Sequence, residues 1–300
     1  LTMKNRNILP IDVSTGEVVP GITMQDKDDR KRAREYWEAQ SAREARRRNH
    51  DPWSRFYMTT CRENQFSGLT PQDTARLIYA ASFMGYDGIL RKSERTKLTF
   101  ADFESLMREQ LSKSTFDRFW NVVKGRYIFQ NNDGTLVVKG GFFRGKQRNI
   151  DERLTKIFIQ KLQNLYRRTK VTQHKHLGHV FKMLSCINIQ YNVVCENPYE
   201  TDWSEVRPVT LKQFCRMIHY DESQATRLKD IYGEITFDVN GKQQYFCAFV
   251  TTGREPNNPY IIINPRIFYA GAQPDRVDFL GMFFKVQPQL DNSDLSKNTV

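Results

Sequence analysis

The spacing of apolar residues predicts two similar short helices in different parts of the chain. The stretches TFADFESLM, residues 99–107, and TLKQFCRMI, residues 210–218, carry apolar side chains at the same positions after an initial Thr. This spacing places the apolar residues on one face of a helix. The Thr hydroxyl can accept hydrogen bonds from the first free N–H groups of that helix. We therefore predict two helices, capped by Thr99 and Thr210, that each bury one face.

A further helix is predicted before and after each of these two. The stripes are Leu77, Ile78, Ala81 and Met84, then Phe116, Phe119, Trp120 and Val123, in the first half, and Leu177, Val180, Phe181 and Leu184, then Ala225, Leu228, Ile231 and Tyr232, in the second. Each stripe fits one buried helical face. In both third helices an Arg, Arg118 or Arg227, directly precedes an aligned apolar residue.

A strand pair is predicted after each third helix. In the first half residues 126–130 and 135–139 flank NNDG, whose residues tolerate the positive φ of a tight turn. In the second half EITFDV and KQQYFCAFV flank Asn240-Gly241, a strong hairpin signal. The order of three helices and a hairpin thus occurs twice. It predicts an α+β fold, mainly α, of two winged helix-turn-helix domains in tandem joined by a helical linker.

The stretch GGFFRGKQ, residues 140–147, has the Gly and Lys spacing of a phosphate-binding loop. Its interior is bulky, and Gln147 stands where such a loop has a metal-binding Ser or Thr. The second half offers a better explanation, because YIIINPRIFYAG aligns with TLVVKGGFFRG. An aromatic pair, one further residue and a Gly therefore close both halves. We interpret the stretch as a structural turn and predict no cofactor.

These patterns divide the chain into five segments. They are an N-terminal extension with a basic helix (1–50), a first winged-helix domain (51–149), a helical linker (150–172), a second winged-helix domain (173–285) and a disordered polar tail (286–300). In the linker, residues 154, 157, 158, 162 and 165 share one helical face, and Asp151 is the candidate cap. We expect this linker to be a rigid helix that packs against both domains.

Charge favours a polyanionic partner. The net charge is +12 and the pI is about 9.5. Fourteen Lys and Arg but only four Asp and Glu lie between residues 112 and 170, so this segment alone carries most of the excess. Because DNA attracts such a field, double-stranded DNA is the predicted partner.

Other compositional features exclude several classes of protein. The five cysteines are widely spaced and contain no C-x-x-C pair, so we expect reduced and mostly buried thiols. No apolar run approaches the roughly 20 residues that span a bilayer. The first residues also lack the apolar core of a signal peptide. We therefore predict a cytoplasmic protein with no membrane contact.

A helix-turn-helix places its last helix in the major groove, while the wing contacts phosphates. Arg can pair with guanine and Asn with adenine, and Lys or hydroxyl groups near a helix start suit phosphate. The predicted DNA contacts are Lys113, Ser114, Thr115, Arg118 and Asn121 on the first third helix; Ser223, Gln224, Arg227 and Lys229 on the second; Asn131, Asn132 and Lys242 on the wings; Lys139, Arg144, Lys146 and Arg148 after the first wing; and Arg46, Arg47 and Arg48 in the extension. An ordinary solvated face is the alternative, more so for the second helix, which also carries Asp221, Glu222 and Asp230.

A DNA-directed chain could also be a nickase. Rolling-circle nickases use a His-hydrophobic-His triplet on a strand, whereas here Lys175 separates His174 from His176 at the start of a predicted helix. His176 and His179 could share a helical face, yet no acidic pair nearby completes a metal site. We interpret these residues as surface histidines, and predict no metal site, no catalytic residue and no enzymatic activity.

The stretch IDVSTGEVV, residues 11–19, together with a winged helix and a closing aromatic pair, resembles the RepL-type replication initiators of plasmids and related phages. The resemblance covers residues 8–20 and 66–146, with a weaker match over 174–271. It implies recognition of origin repeats and, as partners, host replication proteins such as the helicase or its loader. Those proteins generally have one winged helix. A chain with two winged helices in tandem resembles instead the theta-type initiators, which bind repeated origin sites as monomers.

The oligomeric state and the biological role are left open by the sequence. We expect a monomer with a pseudo-two-fold repeat, or a weak dimer. A transcriptional repressor or phage regulator would use the same tandem winged helices, and a partitioning or packaging protein would bind many sites cooperatively.

Overall fold

The computed structural model of the chain describes residues 56–60, 65–144, 154–239, 241–251, 259–271, 277, 280, 281 and 284. Within these ranges the fold is α+β, with seven α-helices and small antiparallel sheets. The helices are α1 (Pro71–Ala81), α2 (Phe100–Arg108), α3 (Lys113–Val123), α4 (Ile159–Arg168), α5 (His174–Lys182), α6 (Leu211–Met217) and α7 (Ala225–Glu234). The strands are β1 (Phe56–Thr60), β2 (Ile128–Gln130), β3 (Leu136–Val138), β4 (Phe142–Phe143), β5 (Leu154–Phe158), β6 (Thr236–Val239), β7 (Lys242–Tyr245), β8 (Cys247–Val250), β9 (Tyr260–Ile263) and β10 (Phe268–Tyr269).

Helices α2 and α6 begin at the two predicted Thr caps. The Asp102 N–H donates to Thr99 Oγ1 at 3.3 Å, and the Thr99 N–H donates back to the Asp102 carboxylate at 3.0 Å. Thr210 and Gln213 form the same reciprocal pair at 3.3 and 2.8 Å. Both are capping boxes, which satisfy two otherwise free N–H groups. The predicted buried faces form as well, although Phe100 and Leu106 are only partly buried and Met217 is 37% exposed.

A four-stranded sheet of order β10-β5-β1-β4 joins the two halves of the chain. Strands β1 and β5 pair antiparallel at its centre, with Met58 opposite Lys156. Met58 also lies opposite Phe143 of β4, and Lys156 lies opposite Tyr269 of β10. A rotation that exchanges Met58 with Lys156 therefore also exchanges the two edge strands. The sheet has a pseudo-two-fold axis, and the two aromatic pairs occupy equivalent edges.

The hydrogen bonds of β3 recur at β9. In the first half the Leu90 N–H donates to Leu136 O of β3 at 2.8 Å, and in the second half the Val194 N–H donates to Ile261 O of β9 at 3.0 Å. One residue beyond each strand the match continues. The Lys139 N–H donates to Tyr127 O at 2.8 Å, and the Asn264 N–H donates to Phe246 O at 2.9 Å. Strand β9 thus takes the place of β3.

The second-half counterpart of the β2–β3 pair is consequently β8–β9, and not the hairpin that the sequence indicated. Ile128 lies opposite Val138 in β2–β3, and Cys247 lies opposite Ile263 in β8–β9. The predicted hairpin does exist as β6–β7. It has no counterpart among the described residues of the first half. It packs against α4, where the Asp238 N–H donates to Asn164 Oδ1 at 2.8 Å.

The prediction of one continuous linker helix is wrong in its first part. Residues 154–158 form β5, the inner strand that pairs with both β1 and β10. Thr155 and Ile157, at alternating positions, are fully buried. Such alternation suits a strand that turns one face to the core. In the described part of the linker the α-helix covers Ile159–Arg168, and it packs against α1 and β6. The predicted cap Asp151 lies outside the described residues.

Helices α1 and α5 approach each other very closely across the pseudo-two-fold axis. Gly178 of α5 lies against the backbone of Pro71 at the start of α1, so that a Cβ added to Gly178 would stand 1.6 Å from Pro71 O. The Lys182 ammonium of α5 donates to Leu69 O at 2.5 Å. Tyr57 of β1 ties the sheet to the same helix pair, because its hydroxyl donates to Ile78 O at 2.7 Å.

We predict that Gly178→Ala destabilises the protein strongly. The added methyl group overlaps a backbone carbonyl, which cannot rotate away, so the two helices must separate. We expect a loss of at least about 2 kcal/mol of unfolding free energy, measured by urea denaturation followed by circular dichroism. The matched control is Gly233→Ala in α7, where the new Cβ meets nothing within 4 Å. That change should be neutral or stabilising by up to about 1 kcal/mol. Equal stability of the two variants would contradict the close helix contact.

Candidate nucleic-acid interface

Helix α3 is held on α2 by an aromatic cluster. The helix starts at Ser112, whose hydroxyl accepts from the Thr115 N–H at 3.3 Å. Trp120 of α3 lies 5.0 Å from Phe100 and 6.0 Å from Phe103 of α2, measured between ring centroids. The predicted stripe of Phe116, Phe119, Trp120 and Val123 is buried. Packing of one face leaves the opposite face of α3 open to solvent.

The exposed face of α3 carries the residues that the sequence predicted. Lys113, Ser114, Arg118 and Asn121 are exposed, and Thr115 is half-buried. The Arg118 guanidinium lies 3.5 Å from Thr115 Oγ1. Among the described residues no carboxylate forms an ion pair with Arg118. This face therefore presents a cation, an amide and several hydroxyls near a helix N-terminus.

Helix α7 repeats this arrangement around a second arginine. A 3-10 turn, Glu222–Gln224, leads into α7, and Asp221 accepts from the Ser223 N–H at 2.9 Å at its start. The Arg227 guanidinium lies 3.4 Å from Gln224 Oε1, three residues earlier, as Arg118 does from Thr115. Arg227, Ser223, Gln224 and Lys229 are exposed. Arg118 and Arg227 thus occupy equivalent positions on their helices.

The charge around the two arginines differs. Near α7, Arg216 pairs with Glu222 at 3.1 Å, and Asp230 is exposed. Hydrogen bonds from the Ser223 N–H and hydroxyl hold the pKa of Asp221 below its ordinary value, so this group stays anionic. The Lys229 ammonium lies 5.9 Å from the Phe249 ring centre. The second surface has mixed charge.

The β2–β3 turn presents amide groups more than cations. Asn131 and Asn132 are exposed, and the Asn131 amide donates to Thr135 Oγ1 at 3.1 Å. Asp133 at the same turn lies 3.6 Å from the Lys97 ammonium. Lys139 is exposed, with its ammonium 5.0 Å from the Phe129 ring centre.

Other predicted contacts lie away from this turn. Arg144 is half-buried, since its guanidinium donates to Met84 O at 2.8 Å and stacks over Tyr86 at 4.8 Å. Lys242 is exposed but belongs to the β6–β7 hairpin, which has no counterpart in the described first half. Arg46, Arg47, Arg48, Lys146 and Arg148 lie outside the described residues.

The sequence reasoning did not identify the second-half counterpart of the β2–β3 turn. This counterpart is the connection between β8 and β9. The connection from β8 to β9 covers residues 251–259, of which Thr251 and Pro259 are described. Its sequence is TTGREPNNP. The alignment of YIII with TLVV could have identified it. The first turn directly precedes TLVV, so its counterpart should directly precede YIII, at residues 251–259, and not lie at Asn240-Gly241.

The interpretation of the α5 histidines as surface residues is wrong. His174 and His176 are 0% and 2% exposed, because the Tyr166 ring of α4 lies 4.1 Å from the His174 ring and the Tyr232 ring of α7 lies 5.8 Å from the His176 ring. His174 Nε2 lies 3.2 Å from Tyr166 O and 3.1 Å from Thr169 O. Burial lowers the pKa of His174, His176 and His179 from 6.5 to about 4. His174 and His176 are neutral core groups near pH 7, and the half-buried His179 is neutral there as well.

The cysteines in the described ranges fit the sequence prediction. Cys195, Cys215 and Cys247 are buried and Cys186 is partly buried. In the same ranges no group of three or more His, Cys, Asp or Glu side chains could hold a metal ion. No described helix is long and apolar enough to cross a membrane.

Comparisons with other proteins identify no relative. No protein-family model, curated protein sequence or solved structure matches the chain.

The buried histidines predict a loss of stability in acid. Between about pH 4 and 6.5 the unfolded chain binds more protons than the folded one, so the unfolding free energy rises with pH. The contribution of the neutral histidines to stability is fully present above pH 6.5. From pH 7 to pH 5 we expect the unfolding free energy to fall by about 2 kcal/mol for each buried histidine, measured by urea unfolding.

The double variant His174→Gln/His176→Gln isolates this contribution. Its unfolding free energy should depend less steeply on pH between 5 and 7, whatever its stability at pH 7. The range above pH 7 is the internal control, because neither protein changes its histidine protonation there. An unchanged slope below pH 7 would show that other groups cause the acid sensitivity.

Proposed function

We propose that each half of the chain is a winged helix-turn-helix unit and that the protein binds double-stranded DNA sequence-specifically. The observation that carries this proposal is the pair of arginines, Arg118 and Arg227. Both are exposed at the same position of a third helix, and each helix is backed by a buried apolar stripe. Winged-helix proteins insert such a helix into the major groove.

The arrangement around each arginine supports contact with base edges. A guanidinium on the open face of a helix can reach O6 and N7 of guanine together, and Asn121, one turn along α3, can pair with adenine. The hydroxyls of Ser114 and Thr115 and the exposed Lys113 stand at the N-terminus of α3, where phosphate binding is favoured. The strand pairs β2–β3 and β8–β9 are the proposed wings.

The two halves differ in the kind of contact that their charges favour. The α3 surface carries Lys113 and Arg118, with Asp117 as the exposed acid of the same helix. The α7 surface combines Arg227 with Asp230 and the Arg216–Glu222 pair. We therefore propose that the first unit contributes most of the phosphate binding. The second unit adds base discrimination with a smaller electrostatic share.

The resemblance to plasmid and phage initiators makes origin recognition the favoured role, and transcriptional regulation would use the same contacts. The position of the bound sites separates the two roles. Repeated sites beside an AT-rich tract favour initiation, whereas a single site over a promoter favours regulation. Footprinting on DNA from the replicon that encodes the protein would locate them.

We predict that Arg118→Ala and Arg227→Ala each relax specificity at one part of the site. Sites are first selected with the wild-type protein from a random-sequence duplex library, and affinity is then measured by fluorescence anisotropy. Each variant should lose about 1–3 kcal/mol on the selected site and should tolerate base changes in one half only.

The matched control is Arg168→Ala, which removes the same charge from an exposed position on α4. It should weaken binding slightly and equally for all sequences. If Arg118→Ala and Arg227→Ala behaved like this control, the two arginines would be phosphate contacts. Failure of the library to yield any preferred sequence would exclude sequence-specific binding.

A further inference from the structure

Two exposed loops occupy equivalent places in the two halves but carry opposite charge. The first, residues 91–97, is called the basic loop and contains four Lys or Arg and one Glu. The second, residues 195–208, is called the acidic loop and contains four Asp or Glu and one Arg. Both are closed in the same way, since the Leu98 N–H donates to Leu90 O and the Val209 N–H donates to Val194 O, each at 2.8 Å.

The change of sign occurs at matched backbone positions. In the basic loop the Lys92 N–H donates to Thr96 O at 2.8 Å, and in the acidic loop the Glu196 N–H donates to Arg207 O at 3.0 Å. The side chains of Lys92 and Glu196 are both exposed. Arg95 in the basic loop and Glu205 in the acidic loop are exposed as well. The backbone pairing therefore recurs while the surface charge is inverted.

The acidic loop also presents large aromatic side chains in a fixed arrangement. Tyr199 is 66% exposed and Trp203 is 43% exposed. Trp203 packs edge-on against Tyr191 at 5.1 Å, and the Tyr191 hydroxyl donates to Thr201 O at 2.9 Å. The Glu200 carboxylate accepts from the backbone N–H groups of Thr201 and Asp202 at 2.8 and 2.9 Å. A loop held in this way loses little conformational freedom when it binds.

The basic loop borders a cleft that suits an aromatic side chain. The cleft has a volume of about 210 Å³, and its lining includes Phe83, Ile159, the basic side chains Arg91, Lys92 and Arg144, and one acidic side chain, Glu94. Aromatic rings are attracted to guanidinium and ammonium groups as well as to apolar surface. The cleft and the basic loop together thus complement both the rings and the carboxylates of the acidic loop.

We propose that the acidic loop of one copy of the chain binds the basic loop of a second copy. The two loops belong to different halves of the chain, each closed by its own backbone hydrogen bond, so each copy can engage two neighbours. Such a head-to-tail contact is heterologous and links copies into a ring or an open row. Loops of this size bury a small area, so free chains should associate weakly. Any arrangement that holds copies side by side raises their effective concentration and strengthens the contact.

The contact is tested without DNA, by sedimentation equilibrium at low and at high salt. Wild-type protein should self-associate at low salt and should do so less at high salt, because charge pairs carry the specificity. The variants Lys92→Glu/Arg95→Glu and Glu196→Lys/Glu205→Lys should each associate at least about tenfold more weakly. A mixture of these two variants, and the fourfold variant that combines them, should associate again, because opposite charges face each other once more.

The control Arg168→Glu/Lys175→Glu changes the net charge as much as the first variant does, at exposed sites on α4 and α5. It should associate like the wild type. A wild type that stays monomeric under all conditions would overturn the proposal. So would loop variants that associate unchanged, or a fourfold variant that fails to recover. A protein that self-associates as expected yet ignores DNA would leave this proposal standing while the DNA-binding proposal fell.

Discussion

The pairing of β1 with β5 is the interaction on which the rest of the described structure depends. Each strand also holds the short edge strand that closes its own half, β4 on one side and β10 on the other. Tyr57, Thr59, Thr155 and Ile157 of these strands are fully buried. Removal of one central strand would therefore expose the backbone of the other and release the edge strand that it holds. Because this register relates the two edge strands, it also fixes the pseudo-two-fold axis of the sheet.

Helices and caps were predictable from the sequence because their signals are local. Thr99 with Asp102, and Thr210 with Gln213, are each three residues apart, so the capping hydrogen bonds need nothing from the rest of the chain. The buried face of α3 also follows from spacing alone. The open face opposite it was predictable for the same reason, which is why Arg118 and Arg227 were placed correctly on exposed surface.

The misplaced features depend on distant parts of the chain. The apolar positions of Leu154, Ile157 and Phe158 fit a helix as well as a strand, and only the presence of β1 beside them decides for the strand. The turn at Asn240-Gly241 forms as its sequence requires, yet hydrogen bonds from Val194 to β9 determine that β8–β9 takes the equivalent place. His174 and His176 are buried because Tyr166 of α4 and Tyr232 of α7 lie beside them, which the residues adjacent to them in sequence cannot reveal.

The repeat constrains the backbone much more strictly than it constrains the surface. The backbone hydrogen bonds that close the basic and acidic loops, at Leu90 and Val194, are alike. One of them closes a loop of seven residues and the other a loop of fourteen. Lengthening an exposed loop costs little free energy, since the entropy of closure grows only with the logarithm of loop length. Charge on such loops is equally free to change, because the exposed side chains add nothing to the sheet. The exposed arginines of α3 and α7 had the same freedom, so their equivalence within one chain is not required by packing and is the stronger reason to look for function there.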